Sequence, residues 1–250
     1  MAKKTVLVTG GAAGIGAGIC LRFAQAGYNV ALFDIDGAGA HSMAAKLAPL
    51  AETLALVGDV ANEQHVTAAI DAATAKFGYL DALVNNAGIE VTGTVAGLSA
   101  AEWDRQIAVN LRGAFLMSKY IISKMTKGGS IVNISSVHAF VSWPACAAYD
   151  ATKSGLIGLT RAMALDHGGQ GIRVNAICPG YIDTPLMDRW LASLPDREET
   201  MRQLLAVHPV GRIGTSRDVA EAALFLTSEA ASFISGTSLV VDGAMTTAGH

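Results

Sequence analysis

The stretch TVLVTGGAAGIGAGICLRF, residues 5–23, decides the fold. Residues 6–8 are an apolar run that ends in Thr9-Gly10, and a helical stretch follows with Ile15, Ile19 and Phe23 at four-residue spacing, closed by Gly27. Between them lies TGGAAGIG, residues 9–16, in which Gly10, Gly14 and Gly16 are spaced G-x3-G-x-G. Glycine lets the backbone turn sharply and come close to a pyrophosphate, and the next helix offers free N–H groups and a positive dipole end. A tight turn needs glycine whatever it binds, so the cluster takes its meaning from its surroundings.

Working outward, a second run at 29–33 ends in Asp34, 18 residues after Gly16. Strand-like runs recur at 53–57, 82–85, 130–134, 173–177 and 238–241. Helical stretches fit between them at about 38–48, 63–77, 100–125, 149–167 and 216–227. Strands that are apolar throughout predict a parallel sheet covered on both faces. Repeated βαβ units of this kind give an α/β fold, a single-domain doubly wound parallel sheet with helices on both faces, over residues 1–250. The segment 183–212 breaks the rhythm with Pro185, Pro195 and Pro209 and a charged patch at 196–199. It follows a strand's carboxyl end, where such sheets bind ligands, and reads as a substrate lid with two short helical pieces, the alternative being a plain surface excursion.

Asp34 is placed to accept both hydroxyls of an adenosine ribose, or to serve as a turn or cap residue. Asp59-Val60 closes the third strand, where a carboxylate reaches an adenine amino group or caps a helix. Asn85 and Asn86, with Ala87 and Gly88, close the fourth; buried amides must be hydrogen-bonded, so this pair ties neighbouring loops or touches the cofactor. With no Lys or Arg in residues 10–16 or 33–40, Asp34 predicts NAD over NADP.

Composition removes other classes. Hydrophobic residues make up 51% and charged residues 16%, too apolar for disorder. The net charge of -3 leaves no basic stripe for nucleic acid. No 18-residue apolar stretch predicts a membrane span, and the run after Lys3-Lys4 is too short for a signal core. Cys20, Cys146 and Cys178 form no CxxC pair and read as buried thiols of a reducing, cytoplasmic compartment. The six histidines, His41, His65, His138, His167, His208 and His250, show no metal-ligand spacing, so no metal is expected.

Tyr149 and Lys153 are four residues apart at the start of a helical stretch, so they share one face. A free tyrosine has a pKa of about 10. A nearby ammonium, helped by a nicotinamide cation, should lower it and make the hydroxyl an acid/base for an alcohol or carbonyl while hydride moves. Tyr120 and Lys124 have the same spacing. Ser136, 13 residues before Tyr149 and just after the 130–134 run, favours Tyr149, whereas Tyr120 falls late in a long helix where packing accounts for it.

TGGAAGIG, NNAG at 85–88, YDATK at 149–153 and Pro179-Gly180, in this order and spacing, resemble the signatures of the short-chain dehydrogenase/reductase family over essentially the whole chain. The resemblance implies a Rossmann fold, a nicotinamide cofactor and usually a homotetramer. It implies cofactor contacts from Gly10, Gly14, Ile15, Gly16, Asp34, Asp59, Val60, Asn86, Ala87, Gly88, Tyr149, Lys153, Pro179, Gly180, Ile182 and Thr184, the last on the nicotinamide carboxamide. It also implies that Ser136 orients the substrate oxygen, Tyr149 is the acid/base, Lys153 binds the nicotinamide ribose, and Asn110 supports a water relay; a structural amide at a helix irregularity is the alternative for Asn110. One departure is Asp150, where the family usually has a small residue; about 100° around the helix from Tyr149, it is expected to cap or face solvent.

SSVHAFVSWP, residues 135–144, further resembles sugar 1-dehydrogenases of this family, which oxidise an aldose at C1 to a lactone. On that resemblance His138, with Ser136 and Tyr149, contacts the substrate, and Trp143-Pro144 lies nearby. Glu90, Arg189 and Arg197 are further candidates for polar or anion contacts. The alternatives are a 3-oxoacyl or ketone reductase and, from a different class, a protein that senses NAD without turnover. Apolar residues on several faces of 102–124 and 150–167, including Ile107, Leu111, Phe115, Leu116, Ile121, Leu156, Leu159 and Met163, predict subunit contact.

Overall fold

Successive residues of a strand face opposite ways, so an apolar run with no polar side fits only a sheet covered on both faces. The computed structural model, which describes residues 3–125, 128–192 and 195–247, has this arrangement. The strands are β1 (Thr5–Thr9), β2 (Asn29–Asp34), β3 (Thr53–Val57), β4 (Ala82–Asn85), β5 (Gly129–Ile134), β6 (Ile172–Pro179), the short β7 (Ile182–Asp183) and β8 (Gly214–Thr215), and β9 (Ser238–Val241). Seven of them form one sheet in the order β3-β2-β1-β4-β5-β6-β9, every neighbour parallel, and β7 pairs with β8 apart from it.

The helices are α1 (Gly14–Gln25), α2 (Gly37–Leu47), α3 (Glu63–Phe77), α4 (Ala100–Ile107), α5 (Gly113–Ile122), α6 (Ala147–His167), α7 (Pro185–Ala192), α8 (Arg197–Ala206) and α9 (Ser216–Thr227). Val6 and Val8 pack with α1, α2 and α9, while Leu7 between them packs with α3 and α5. Burying a side chain the size of Leu7 stabilises the fold by about 1.5–3 kcal/mol. The stretch 100–125 is not one regular helix: α4 and α5 are separated by a π-helical segment, Ala108–Arg112, that holds Asn110. Such bulges often mark functional sites.

Of the apolar residues expected at a subunit contact, Leu116, Ile121, Leu156 and Met163 are buried within the chain. Ile107, Leu111, Phe115 and Leu159 instead line a shallow apolar recess with Gly155, Gly158 and Ala162. The three cysteines are free and buried, and among the described residues no helix is long and apolar enough to cross a membrane. The 183–212 segment carries α7 and α8 around a small core of Met187, Leu191 and Leu204; Ser193 and Leu194 lie outside the described residues, as does His250.

The chain leaves β1 toward β2 and β3, then returns to place β4 on the other side of β1. The crevice at the carboxyl ends of β1 and β4 is the switch point where doubly wound sheets bind ligands.

Candidate active site

A cleft of about 830 Å³ opens at this switch point. It is lined by every expected cofactor and catalytic residue except Gly16 and Asn110. Gly14, at φ +54°, opens α1 in a left-handed conformation that side chains disfavour. A Cβ at Gly16 would fall 2.0 Å from the Gly10 carbonyl oxygen, so this position packs helix against turn rather than facing the cleft. No side chain caps α1 at Ala13, which leaves its first N–H groups for an anion. The turn is fixed from outside. Asp34 accepts from the Ala12 N–H (2.9 Å) and, with its other oxygen, from the Asp36 N–H (2.9 Å). Asn86 Nδ2 donates to the carbonyls of Thr9 (3.0 Å) and Gly10 (3.1 Å). Asp59 accepts from the Ala61 N–H at 2.8 Å. The two amides of the fourth strand divide their work: Asn86 holds the turn, while buried Asn85 donates to Asn133 Oδ1 (2.9 Å) and Ser118 Oγ (3.0 Å) behind the cleft. Thr184 faces Gly14 across the turn. These features fit a dinucleotide: a preformed glycine turn, an uncapped helix start and a carboxylate at the rim.

The other end of the cleft collects the reactive groups. Tyr149 and Lys153 stand one turn apart at the start of α6, and Ser136 follows β5. The Ser136 hydroxyl is near enough to that of Tyr149 to favour its ionised form. Lys153 donates from Nζ to the Ile134 carbonyl at 2.9 Å and lies 5.3 Å from the Tyr149 ring centroid. Asn110, buried in the π segment, accepts from the Ile89 N–H (2.8 Å), donates to the Ile89 carbonyl (2.8 Å) and reaches Thr152 Oγ1 (3.3 Å). Its amide therefore clamps the loop after β4 against α6. Tyr120 is elsewhere, its hydroxyl donating to Glu63, which also holds Lys119 at 3.1 Å.

With this geometry in view, the comparisons with known proteins are specific. The sequence profile of the family described as enoyl-(acyl carrier protein) reductase matches residues 10–246. The chain is 42% identical to 2-(S)-hydroxypropyl-CoM dehydrogenase 3 of Xanthobacter autotrophicus over 98% of its own length and 97% of that protein's. The chain belongs to the short-chain dehydrogenase/reductase family. Among solved structures it is similar to the aldohexose dehydrogenase of Thermoplasma acidophilum, at a TM-score of 0.90, 39% identity and coverage of 99% and 95% of the two chains. It is also similar to a 3-ketoacyl-(acyl-carrier-protein) reductase from Brucella melitensis complexed with NADH, at a TM-score of 0.87, 35% identity and coverage of 97% and 98%. The protein is thus an oxidoreductase acting on CH–OH groups, from a family whose cofactor is NAD(P).

The electrostatics of this short-chain dehydrogenase/reductase site are set first by burial, and one expectation, that for Asp150, is corrected by its geometry. The Tyr149 hydroxyl is pushed up from its ordinary value, first by burial and then by the Glu90 carboxylate, with the Ser136 hydroxyl opposing the rise; the lowering expected of Lys153 acting with a nicotinamide cation belongs to the cofactor complex. Burial also brings Lys153 down to about 8, still above neutrality, so its ammonium stays largely charged there. Burial likewise raises Glu90, a trend opposed by His138 and Lys153. Asp150 does not face solvent. Its Oδ1 is 2.6 Å from His138 Nδ1, and the two side chains are only 18% and 15% exposed. The short 3-10 turn Val137–Ala139 lies over the start of α6 and meets the direction in which Asp150 points.

An aromatic wall completes the site. Trp143 lies 4.4 Å from His138 between centroids, Tyr181 6.2 Å from Trp143, and Trp190 6.1 Å from Tyr181 and nearly parallel to it. Tyr181 and Trp190 were missed from sequence; their one signal was a position just after Pro179-Gly180 and inside the irregular segment. Glu90 and Arg189 line the cleft with Arg105, whereas Arg197 pairs with Asp188 at 3.1 Å outside it. The fold also gathers one ligand atom each from His138, Cys146 and Asp150 within 4.8 Å, a grouping that sequence spacing did not reveal.

Proposed function

We propose that this protein is an NAD-dependent dehydrogenase of a polyhydroxylated secondary alcohol, oxidising an aldose at C1 to its lactone. The observation that carries the reading is the imidazole of His138, held by Asp150 at 2.6 Å beside the Ser136–Tyr149 hydroxyl pair and under Trp143. A sugar ring asks for such a site, with polar groups at one edge and an aromatic face for its C–H surface. The similarity to an aldohexose dehydrogenase supports it.

NAD, when bound, supplies a nicotinamide ring that takes the hydride from the carbinol carbon. Gly14, the start of α1 and Asp34 would hold the pyrophosphate and adenosine ribose, and Thr184, Pro179, Gly180 and Ile182 line the nicotinamide end. Ser136 holds the alcohol oxygen, and Tyr149 takes its proton as the C–H bond breaks. Lys153 keeps one N–H on Ile134 and has two more for ribose hydroxyls. Asn110 positions the loop carrying Ile89 and Glu90. Residues 183–212 act as the lid of a single-domain enzyme, supported by Met187, Arg189 and Trp190 in the cleft wall.

The test is a panel of aldoses, polyols, acidic and sulfonated sugars, steroids, 3-oxoacyl esters and simple secondary alcohols, followed by NADH absorbance. The highest kcat/KM is expected on a sugar or polyol, and His138→Ala should lower it about tenfold or more through loss of one hydrogen bond. Strong turnover of a hydrophobic alcohol or a 3-oxoacyl ester with none on any sugar defeats the reading. The apolar wall of Trp143, Tyr181 and Trp190 favours that second reading, a ketone or simple-alcohol enzyme.

We further propose a homotetramer in which the recess of Ile107, Leu111, Phe115 and Leu159 is covered by another copy. Light scattering at micromolar concentration should give about four times the 25.7 kDa chain mass; a monomer refutes it.

A further inference from the structure

Asp150 is the neighbour of Tyr149 in sequence, yet the two side chains act on different partners. Tyr149 meets Ser136, and Asp150 meets His138 Nδ1 at 2.6 Å. The imidazole is enclosed on several sides. Trp143 lies against it at 4.4 Å, the Tyr149 ring stands perpendicular at 5.0 Å, and the His138 backbone N–H donates to Ser136 Oγ at 3.2 Å. A ring so held presents one polar atom other than Nδ1, namely Nε2, and His138 is part of the cleft wall.

An ionised carboxylate only accepts hydrogen bonds, so the hydrogen between Asp150 and His138 sits on Nδ1. In the neutral imidazole Nε2 is then a bare acceptor, its identity fixed by the bond the other nitrogen makes. Glu90, also in the cleft wall, adds a second acceptor when ionised. An acceptor beside the reaction centre is satisfied only by a donor on the substrate, and a substrate without one leaves it unpaired.

We infer that Asp150 is a positioning residue that sets the tautomer of His138, and that the pair forms a subsite for a second hydroxyl next to the carbinol being oxidised. The substrate class is a secondary alcohol with a hydroxyl on the adjacent carbon, a vicinal diol. This rests on the polyol reading above and narrows it: the feature recognised is the 1,2-relationship of two hydroxyls, shared by aldoses, polyols and carbocyclic diols.

The full-length enzyme with NAD is assayed on trans-1,2-cyclohexanediol and cyclohexanol, and the ratio of their kcat/KM values is the readout. Wild type is expected to prefer the diol, mainly through KM. Asp150→Asn should cut that preference about tenfold, one hydrogen bond's worth. In a His138→Ala background Asp150→Asn should change the ratio less than about twofold, because its effect passes through the imidazole. No diol preference in wild type, a preference that Asp150→Asn leaves intact, or equal losses in both backgrounds overturns the inference. Independently of turnover and of the variant's folding, 15N spectra of the cofactor-free wild type, with the His138 signals assigned by their loss in His138→Ala, should show Nδ1 protonated and Nε2 bare. The opposite tautomer overturns the assignment. A panel without aldose activity but with the diol preference intact defeats the aldose reading alone, and aldose activity without any diol preference defeats this inference alone.

Discussion

Tyr149→Phe lowers alcohol oxidation by about two to four orders of magnitude, the range for a positioned acid/base, while NADH binding followed by fluorescence stays within about twofold. The substitution deletes the hydroxyl that faces Ser136 in the cleft and leaves the glycine turn, Asp34 and Lys153 in place. Lys153→Ala is expected to weaken both turnover and binding, because its ammonium is buried at the junction of β5, α6 and the cleft. Tyr120→Phe is the control: its hydroxyl serves Glu63 on α3, and activity should stay near wild type. Abolished activity in a folded Tyr120→Phe with retained activity in Tyr149→Phe reverses the assignment. The sign of the pH dependence follows from the upward shift of Tyr149 by burial and Glu90. Oxidation needs the phenolate to take a proton, so kcat/KM should climb as pH rises above neutrality. Reduction needs the phenol and should not climb with it. A flat oxidation profile from pH 7 to 10 contradicts this.

How far the sequence carried the site depends on what each residue answers to. The strands and the doubly wound parallel sheet were legible because apolar runs and the glycine turn are local patterns with one stable assembly. Tyr149 was separable from Tyr120 because Ser136 marks the strand end beside it. Asp150 was misread because a helical angle tells where a side chain leaves the helix, not what packs there; the turn holding His138 sits in its path. The same limit holds for the electrostatics of Tyr149: its spacing from Lys153 could be read along the helix, but how far the cleft walls take each group out of water depends on the whole fold. For Asn110 the sequence leaves a relay asparagine and an amide at a helix irregularity both open; the irregularity is a π segment, whose extra residue in a turn has no composition signal of its own. Tyr181 and Trp190 reach the wall only through the path of the chain after β6.

The preference for NAD over NADP should be at least about a hundredfold in kcat/KM. A 2′-phosphate brings roughly two negative charges, and like charges brought together cost several kcal/mol. Asp34, at the end of β2 and at the rim of the cleft, is the charge that such a phosphate would meet in the proposed cofactor site. Its carboxylate cannot simply swing away, since one oxygen takes the Ala12 N–H and the other the Asp36 N–H, each at 2.9 Å. A second carboxylate, Asp36, caps α2 close by and adds to the repulsion. The cationic residues of the cleft wall, Arg105, Lys153 and Arg189, come from α4, α6 and α7, while residues 33–40 contain none. Asp34→Asn removes the charge and keeps the shape. It should raise kcat/KM with NADP about tenfold or more and lower it with NAD, because a ribose acceptor is lost. The same change loosens the anchor of the glycine turn, so a fall in Tm of a few degrees is expected for the loss of about 1 kcal/mol. Steady-state kinetics with both cofactors, on whichever alcohol the panel selects, decide the matter; wild-type kcat/KM equal or better with NADP removes Asp34 as the discriminating charge.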